Sequence, residues 1–248
     1  MKKVLFSVLA LSAVAASHAI IVVSEDFDQS QYVVGNTIIG VALTSQPSIL
    51  WDSTAATLTA WKTNNNRALS GTKSVHVTGT SGTWTWPGGS PFISAGETWI
   101  SSVNVFVGQT GNGLTSRYGL DAWGTVGNMS GGLAVRADGS VWKNAGGVWS
   151  QQLAAGTAPS GRWHNIKLEM TYTTATSGTV KSFLNGTQVG GSLAISEAFT
   201  DVDLYGGLRT ATSDASFDDY KLEVVPEPAT MAALGLGLAA VARRRKSK

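Results

Sequence analysis

The 248-residue chain has no cysteine, which excludes disulfides, thiol catalysis, iron–sulfur clusters and cysteine-ligated zinc. Histidine is nearly absent as well, with three in the chain. His18 belongs to the N-terminal segment described below, and His76 and His164 stand alone in β-like runs. With no serine or aspartate constellation beside them, both read as structural or surface histidines rather than catalytic bases. Amphipathic helices are missing too, since no window of residues 20–224 carries the three–four apolar spacing. No fixed repeat emerges, which argues against a propeller or solenoid. Charge is sparse, at 14% of residues.

What is present is concentrated first at the two ends. The chain opens MKKVLFSVLALSAVAASHA, with Lys2 and Lys3, an apolar stretch over 4–16, then the small residues Ser17 and Ala19. That is the charged, apolar, small-residue order of a secretory signal peptide, and cleavage after Ala19 starts the mature chain at Ile20. The chain closes with Pro226-Glu227-Pro228, an apolar run over 231–242, and Arg243-Arg244-Arg245. Counted from Ala229 the run is 14 residues, about 21 Å of helix, shorter than a hydrocarbon core of roughly 30 Å. Such a short apolar helix suits transient retention, with the arginines held at the cytoplasmic face. The ends also distort the charge. Of 18 basic residues, two fall in the signal and five in the tail, leaving 11 against 15 acids between residues 20 and 224. The working domain is therefore about −4 rather than +2, which argues against nucleic acid and suits a neutral or cation-bridged partner.

Three segments follow: a signal peptide over 1–19, one domain over 20–224, and a tail over 225–248. The central region holds all nine tryptophans, which supply a core in place of disulfides. It reads as short β-rich runs broken by turn signals every eight to twelve residues, the pattern of an all-β sandwich or barrel. Residues 98–107 form a long β-branched run, and in 162–172 His164, Ile166, Leu168, Met170 and Tyr172 alternate with the polar set. Asp138-Gly139 and Asn185-Gly186 each sit between alternating runs and predict two-residue hairpin turns.

Four segments, SEDFD at 24–28, GRWHNIKLEM at 161–170, SFLNG at 182–186 and ASFDDYKLEV at 215–224, resemble the laminin-G-like, concanavalin-A-like jelly rolls in order and spacing. The resemblance implies a jelly-roll β-sandwich whose first and last strands pair. It also implies a structural calcium where those strands meet, with Glu25, Asp26 and Asp28 facing Asp218 and Asp219. The same acids also fit solvated or turn-capping roles. Asp201 and Asp203, alternate residues of one strand, are a weaker second pair. The Glu-x-Asp-x-x-Glu strand of glycoside hydrolases with this architecture is absent, so the expectation is a protein that is not an enzyme.

The tail resembles the PEP-CTERM sorting signal, with Pro226, Glu227, Pro228, Arg243, Arg244 and Arg245 in its defining places. That resemblance implies a membrane-embedded exosortase-type protease as partner, in cells that make extracellular polysaccharide. It also implies transient inner-membrane attachment before surface or extracellular placement. Trp84 and Trp86 share one strand face, and Trp142 and Trp149 lie in successive strands. Each ring fits either the core or a platform for sugar faces. The combined reading is an exported surface or matrix protein with weak glycan binding. The alternatives are a purely structural or adhesive matrix protein and a polysaccharide-active enzyme with an unrecognised site.

Overall fold

The computed structural model describes residues 19–53, 60–77, 82–89, 91–109, 113–127, 129–207 and 214–226. The signal segment through His18 and the tail residues Glu227, Pro228, Arg243, Arg244 and Arg245 lie outside them. The described residues form sixteen strands and no helix, in two antiparallel sheets packed as a sandwich.

The nine-stranded sheet runs β13 (Thr187–Gln188), β12 (Gly178–Leu184), β11 (Trp163–Tyr172), β6 (Thr98–Val107), β16 (Ala215–Val225), β4 (Ser74–Val77) and β3 (Trp61–Asn64). β1 (Ile20–Glu25) also pairs with β16, and β14 (Leu193–Ile195) with β12. The seven-stranded sheet runs β10 (Val148–Leu153), β9 (Val141–Ala145), β8 (Met129–Arg136), β7 (Arg117–Gly124), β15 (Phe199–Gly207), β5 (Thr83–Pro87) and β2 (Trp51–Ser53).

Period-two patterning accounts for the layers. In β6 and β11 every second residue is buried, and Val103 of one strand pairs with Ile166 of the other. Val103, Val105, Ile166, Leu168 and Met170 meet Tyr118, Leu120, Leu133, Val135, Val202 and Leu204 from the opposing sheet in one core. Each such aliphatic side chain stabilises the fold by about 1.5–3 kcal/mol. The same alternation turns Arg117, Gly119, Asp121 and Trp123 of β7, and Asp201, Asp203 and Tyr205 of β15, to the outer face.

The first and last strands do pair, from Ile20 opposite Val224 to Glu25 opposite Tyr220. The irregularity expected near Asp218-Asp219 is a register shift between Asp218 and Lys221, with Asp219 at φ 52°. At Asn185-Gly186 both φ values are positive, 50° and 82°, and Leu184 pairs with Thr187, which is a two-residue type I′ turn. The Asp138-Gly139 connection differs from the expectation. Gly139 N donates to Arg136 O and Arg136 N donates to Ser140 O, with Gly139 at φ 79°. That is a three-residue loop, a type I turn closed by a glycine bulge, stabilised where Asp138 Oδ1 accepts from Ser140 N at 2.8 Å.

Candidate functional site

The acidic cluster expected to hold calcium is only partly assembled. Glu25 points into the core and accepts from Tyr32 Oη at 2.8 Å and from Thr44 N at 2.6 Å, so it braces the first loop. Asp26 Oδ1 accepts from Asp28 N at 3.2 Å. Asp28, Asp218 and Asp219 converge instead on residues 69–73. Asp28 Oδ1 accepts from Thr72 N at 2.7 Å and Lys73 N at 2.9 Å, and Asp218 Oδ2 from Leu69 N at 2.8 Å and Ser70 N at 3.1 Å. Asp219 accepts from Ser70 Oγ at 2.7 Å and Asn104 Nδ2 at 3.1 Å. Donor N–H and O–H groups thus engage at least one oxygen of each of these carboxylates. Among the described residues no three His, Asp or Glu side chains stand where they could hold one metal ion. Burial raises the Asp218 carboxyl to about 6, against the lowering effect of the Ser70 and Leu69 amides. His164 is buried, with Nε2 2.9 Å from Pro159 O and Nδ1 3.3 Å from Asn185 Nδ2, a structural arrangement.

The other candidates converge. Trp84 and Trp86 of β5, Trp142 of β9 and Trp149 of β10 are all half-buried on the outer face of the seven-stranded sheet. Two pairs that are separate in sequence are joined there by residues that sequence reasoning missed. Tyr205 stacks on Trp149 at 4.9 Å between centroids and 11° between planes, and lies 5.6 Å from Trp84. Trp123 meets Trp84 edge-on at 6.0 Å. The result is an aromatic ribbon from β10 to β5. Trp84, Trp86 and Trp123 wall a cleft of about 290 Å³ that also exposes Asp201 and Thr200.

Strand register sets the polar groups between the rings. Asp121 stands directly opposite Asp203, and Asp201 opposite Trp123. Asn144 Nδ2 donates to Asp121 Oδ1 at 3.0 Å, and Trp84 Nε1 reaches Oδ2 at 3.5 Å. A Cβ on Gly132, the β8 partner of Asp121, would overlap the carboxylate, so glycine makes the space. Burial pushes the Asp121 carboxyl up to about 8, opposed by the hydrogen bonds from Asn144 and Trp84 and by the charge of Arg117. Asp203 is raised well above the usual carboxylate range, first by burial and then by Asp201 and Asp121. The Trp123 indole N–H draws it down somewhat, although neither Trp123 Nε1 nor Asp203 Oδ1 closes a hydrogen bond of normal geometry. Both carboxyls lie beneath the rings, at 0% and 1% exposure.

The other end of the ribbon is cationic. Arg117 and Arg136 are cross-strand partners, and their guanidinium groups stack on Trp149 and Trp142. Burial lowers the Arg136 guanidinium, and the neighbouring Arg117 charge adds to that. Burial lifts the Tyr205 phenol to about 12 despite the Arg117 charge beside it. The signal for these residues is present in RYGLDAWG and TDVDLY, where polar and aromatic residues alternate with a core set. What links the two segments is a pairing 82 residues apart, which alternation alone does not encode.

Residues 224–246 match the PEP-CTERM protein-sorting motif. The chain ends in a sorting signal. It is therefore an exported protein processed by an exosortase-type membrane enzyme, attached transiently through its C-terminus and then released or displayed. No helix among the described residues is long and apolar enough to cross a membrane, and the apolar run over 231–242 lies outside them.

No curated protein sequence matches the chain. Among solved structures it is similar to a Trypanosoma rangeli sialidase in complex with 2,3-difluorosialic acid, with TM-score 0.50 and 8% identity over 84% of this chain. The match spans only 31% of the sialidase. It is also similar to the CBM22-1 xylan-binding domain from Paenibacillus barcinonensis Xyn10C, with TM-score 0.43 and 15% identity over 86% of this chain and 99% of that one. A third is an endo-beta-1,4-glucuronan lyase from the fungus Trichoderma reesei, with TM-score 0.44 and 12% identity over 65% of this chain and 85% of that one. The likeness concerns the fold, a β-sandwich consistent with a concanavalin-A-like jelly roll.

Proposed function

We propose that this exported protein is a non-enzymatic, surface or matrix glycan-binding protein, whose binding site is the outer face of its seven-stranded sheet. The observation that carries the reading is the unbroken ring sequence Trp149, Tyr205, Trp84 and Trp123 on one face beside an open cleft. Flat rings offer sugar C–H faces a contact surface at low conformational cost, and a mostly apolar cleft with a few polar groups fixes orientation. Asp201 and Thr200 at the rim supply hydroxyl partners.

The paired carboxylates favour a second reading, a glycan-cleaving enzyme, because Asp121 and Asp203 stand opposite each other and Asp121 is raised to about 8. Glycosidic cleavage generally needs two carboxyl groups that reach opposite sides of the scissile bond. Asp121 is buried and engaged by Asn144 and Trp84, and Asp203 borders the cleft beside Asp201 but is only 1% exposed. A single carboxylate with appreciable exposure, the half-buried Asp201, supports binding over cleavage.

Affinity electrophoresis of the full chain through gels loaded with a panel of neutral and acidic polysaccharides tests this. Retardation by at least one polymer is expected, with Trp84→Ala and Trp149→Ala each weakening it roughly ten-fold, as loss of a stacked ring does. A folded chain that no polymer retards overturns the reading. New reducing or unsaturated ends released from a bound polymer, lost in Asp201→Asn, would replace it with the enzyme.

A further inference from the structure

Arg117 and Arg136 face each other across β7 and β8, so two guanidinium groups leave the same face side by side. Like charges in that position destabilise a sheet. Neither arginine forms an ion pair among the described residues, and Nε of each is buried without a hydrogen-bond partner there. Arg117 is only 8% exposed. The carboxylate whose field bears on Arg136 is Asp138, and its Oδ1 is already taken by Ser140 N and Oγ. The rings hold both cations in place. Arg136 Cζ sits 3.5 Å from the Trp142 centroid, and Arg117 Cζ sits 4.9 Å from that of Trp149 and 5.9 Å from that of Trp142. A guanidinium stacked on an indole keeps its in-plane N–H edge available for an oxyanion.

We propose that Arg117 and Arg136 together seat one oxyanion substituent, a uronate carboxylate or a sulfate ester, of the polysaccharide lying along the aromatic ribbon. The inference rests on the glycan-binding reading above and adds the class of sugar. Tyr205 already engages the Arg117 side chain, but one anion between the two guanidinium groups supplies acceptors for the unpartnered Nε edges and cancels the repulsion between them. The domain average suited a neutral or cation-bridged partner, and the paired arginines instead offer an anionic one a direct seat. The net charge of about −4 is spread over the domain, whereas the two cations are placed side by side at one end of the aromatic ribbon.

The test measures binding of the full chain to oligogalacturonate, oligoglucuronate and oligomannuronate, each beside its carboxyl-reduced counterpart, and to dextran sulfate beside dextran. At least one charged member should bind ten-fold or more tighter than its neutral partner and weaken with added salt. The uronate arms and the sulfate arm tell the two sources apart. Arg136→Gln and Arg117→Gln should each cost roughly ten- to hundred-fold on the charged ligand and little on the neutral one. Arg136→Lys should recover part of the loss, since charge returns without the planar fork. Trp84→Ala should weaken both forms. Urea midpoints of the arginine variants, at or above that of the parent, show that folding is intact. Equal binding of charged and neutral members, or binding of neutral polymers alone, overturns the anion seat and leaves the glycan reading standing. Binding of nothing overturns both. A dimer that Arg136→Glu dissociates would assign the face to a second copy of the chain and also overturn the seat.

Discussion

Asp121→Asn tests the electrostatics of the outer face most directly. The folded carboxyl is held up to about 8, chiefly by burial, whereas the unfolded chain releases that proton near the ordinary carboxylate value. Between those two values the folded state binds more protons than the unfolded state. Stability therefore falls as pH rises through the window, and the contribution is fully present only below the unfolded pKa. One retained proton is worth about 1.4 kcal/mol per pH unit, so from pH 5 to pH 7 the parent loses on the order of 3 kcal/mol through this group. For a domain of this size that is roughly 5–11 °C in Tm. The substituted amide keeps the shape beside Asn144 and Trp84 but cannot ionise. The variant's advantage over the parent should grow by about that amount between pH 5 and pH 7, while Asp203 adds its own slope to both. Urea denaturation followed by tryptophan fluorescence at pH 5, 6 and 7 gives the two curves. Parallel curves would refute the reasoning, because they would mean that Asp121 is ionised in the folded state.

Gly71 has φ 58°, and a Cβ there would overlap the Asp28 carboxylate that anchors Thr72 and Lys73. Gly71→Ala should cost about 2–4 kcal/mol by urea denaturation, the left-handed backbone and the lost anchor together. Gly35→Ala, at φ 86° with nothing within 4 Å, should cost about 1 kcal/mol, and equal losses would dismiss the anchor. A chelator should leave the unfolding midpoint of the chain unchanged, because Asp28, Asp218 and Asp219 already accept from the 69–73 loop and Asn104. A lowered midpoint restored by added calcium would contradict that.

Much of the sandwich was legible in the sequence. The alternation in 162–172 reappears residue for residue in the burial of β11, and Asn185-Gly186 makes the expected turn. Asp138-Gly139 did not, because a type I turn with a glycine bulge also accepts Asp-Gly, and Asp138 bonds Ser140 in that form. The candidate site was half legible. Trp84, Trp86, Trp142 and Trp149 were identifiable as rings but not as one surface, and Asp121, Arg117, Arg136, Trp123 and Tyr205 were not singled out at all.

The sequence by itself determined the sorting tail and the strand periods. Each rests on local order or on short motifs carried within a few residues. Tertiary structure decided which face of β5, β9 and β10 is open, that Asp121 stands opposite Asp203, and that Arg117 stands opposite Arg136. Those are matters of sheet order and register between distant segments. A one-residue slip would turn every one of those side chains to the other face, and only the packed core holds the register in place.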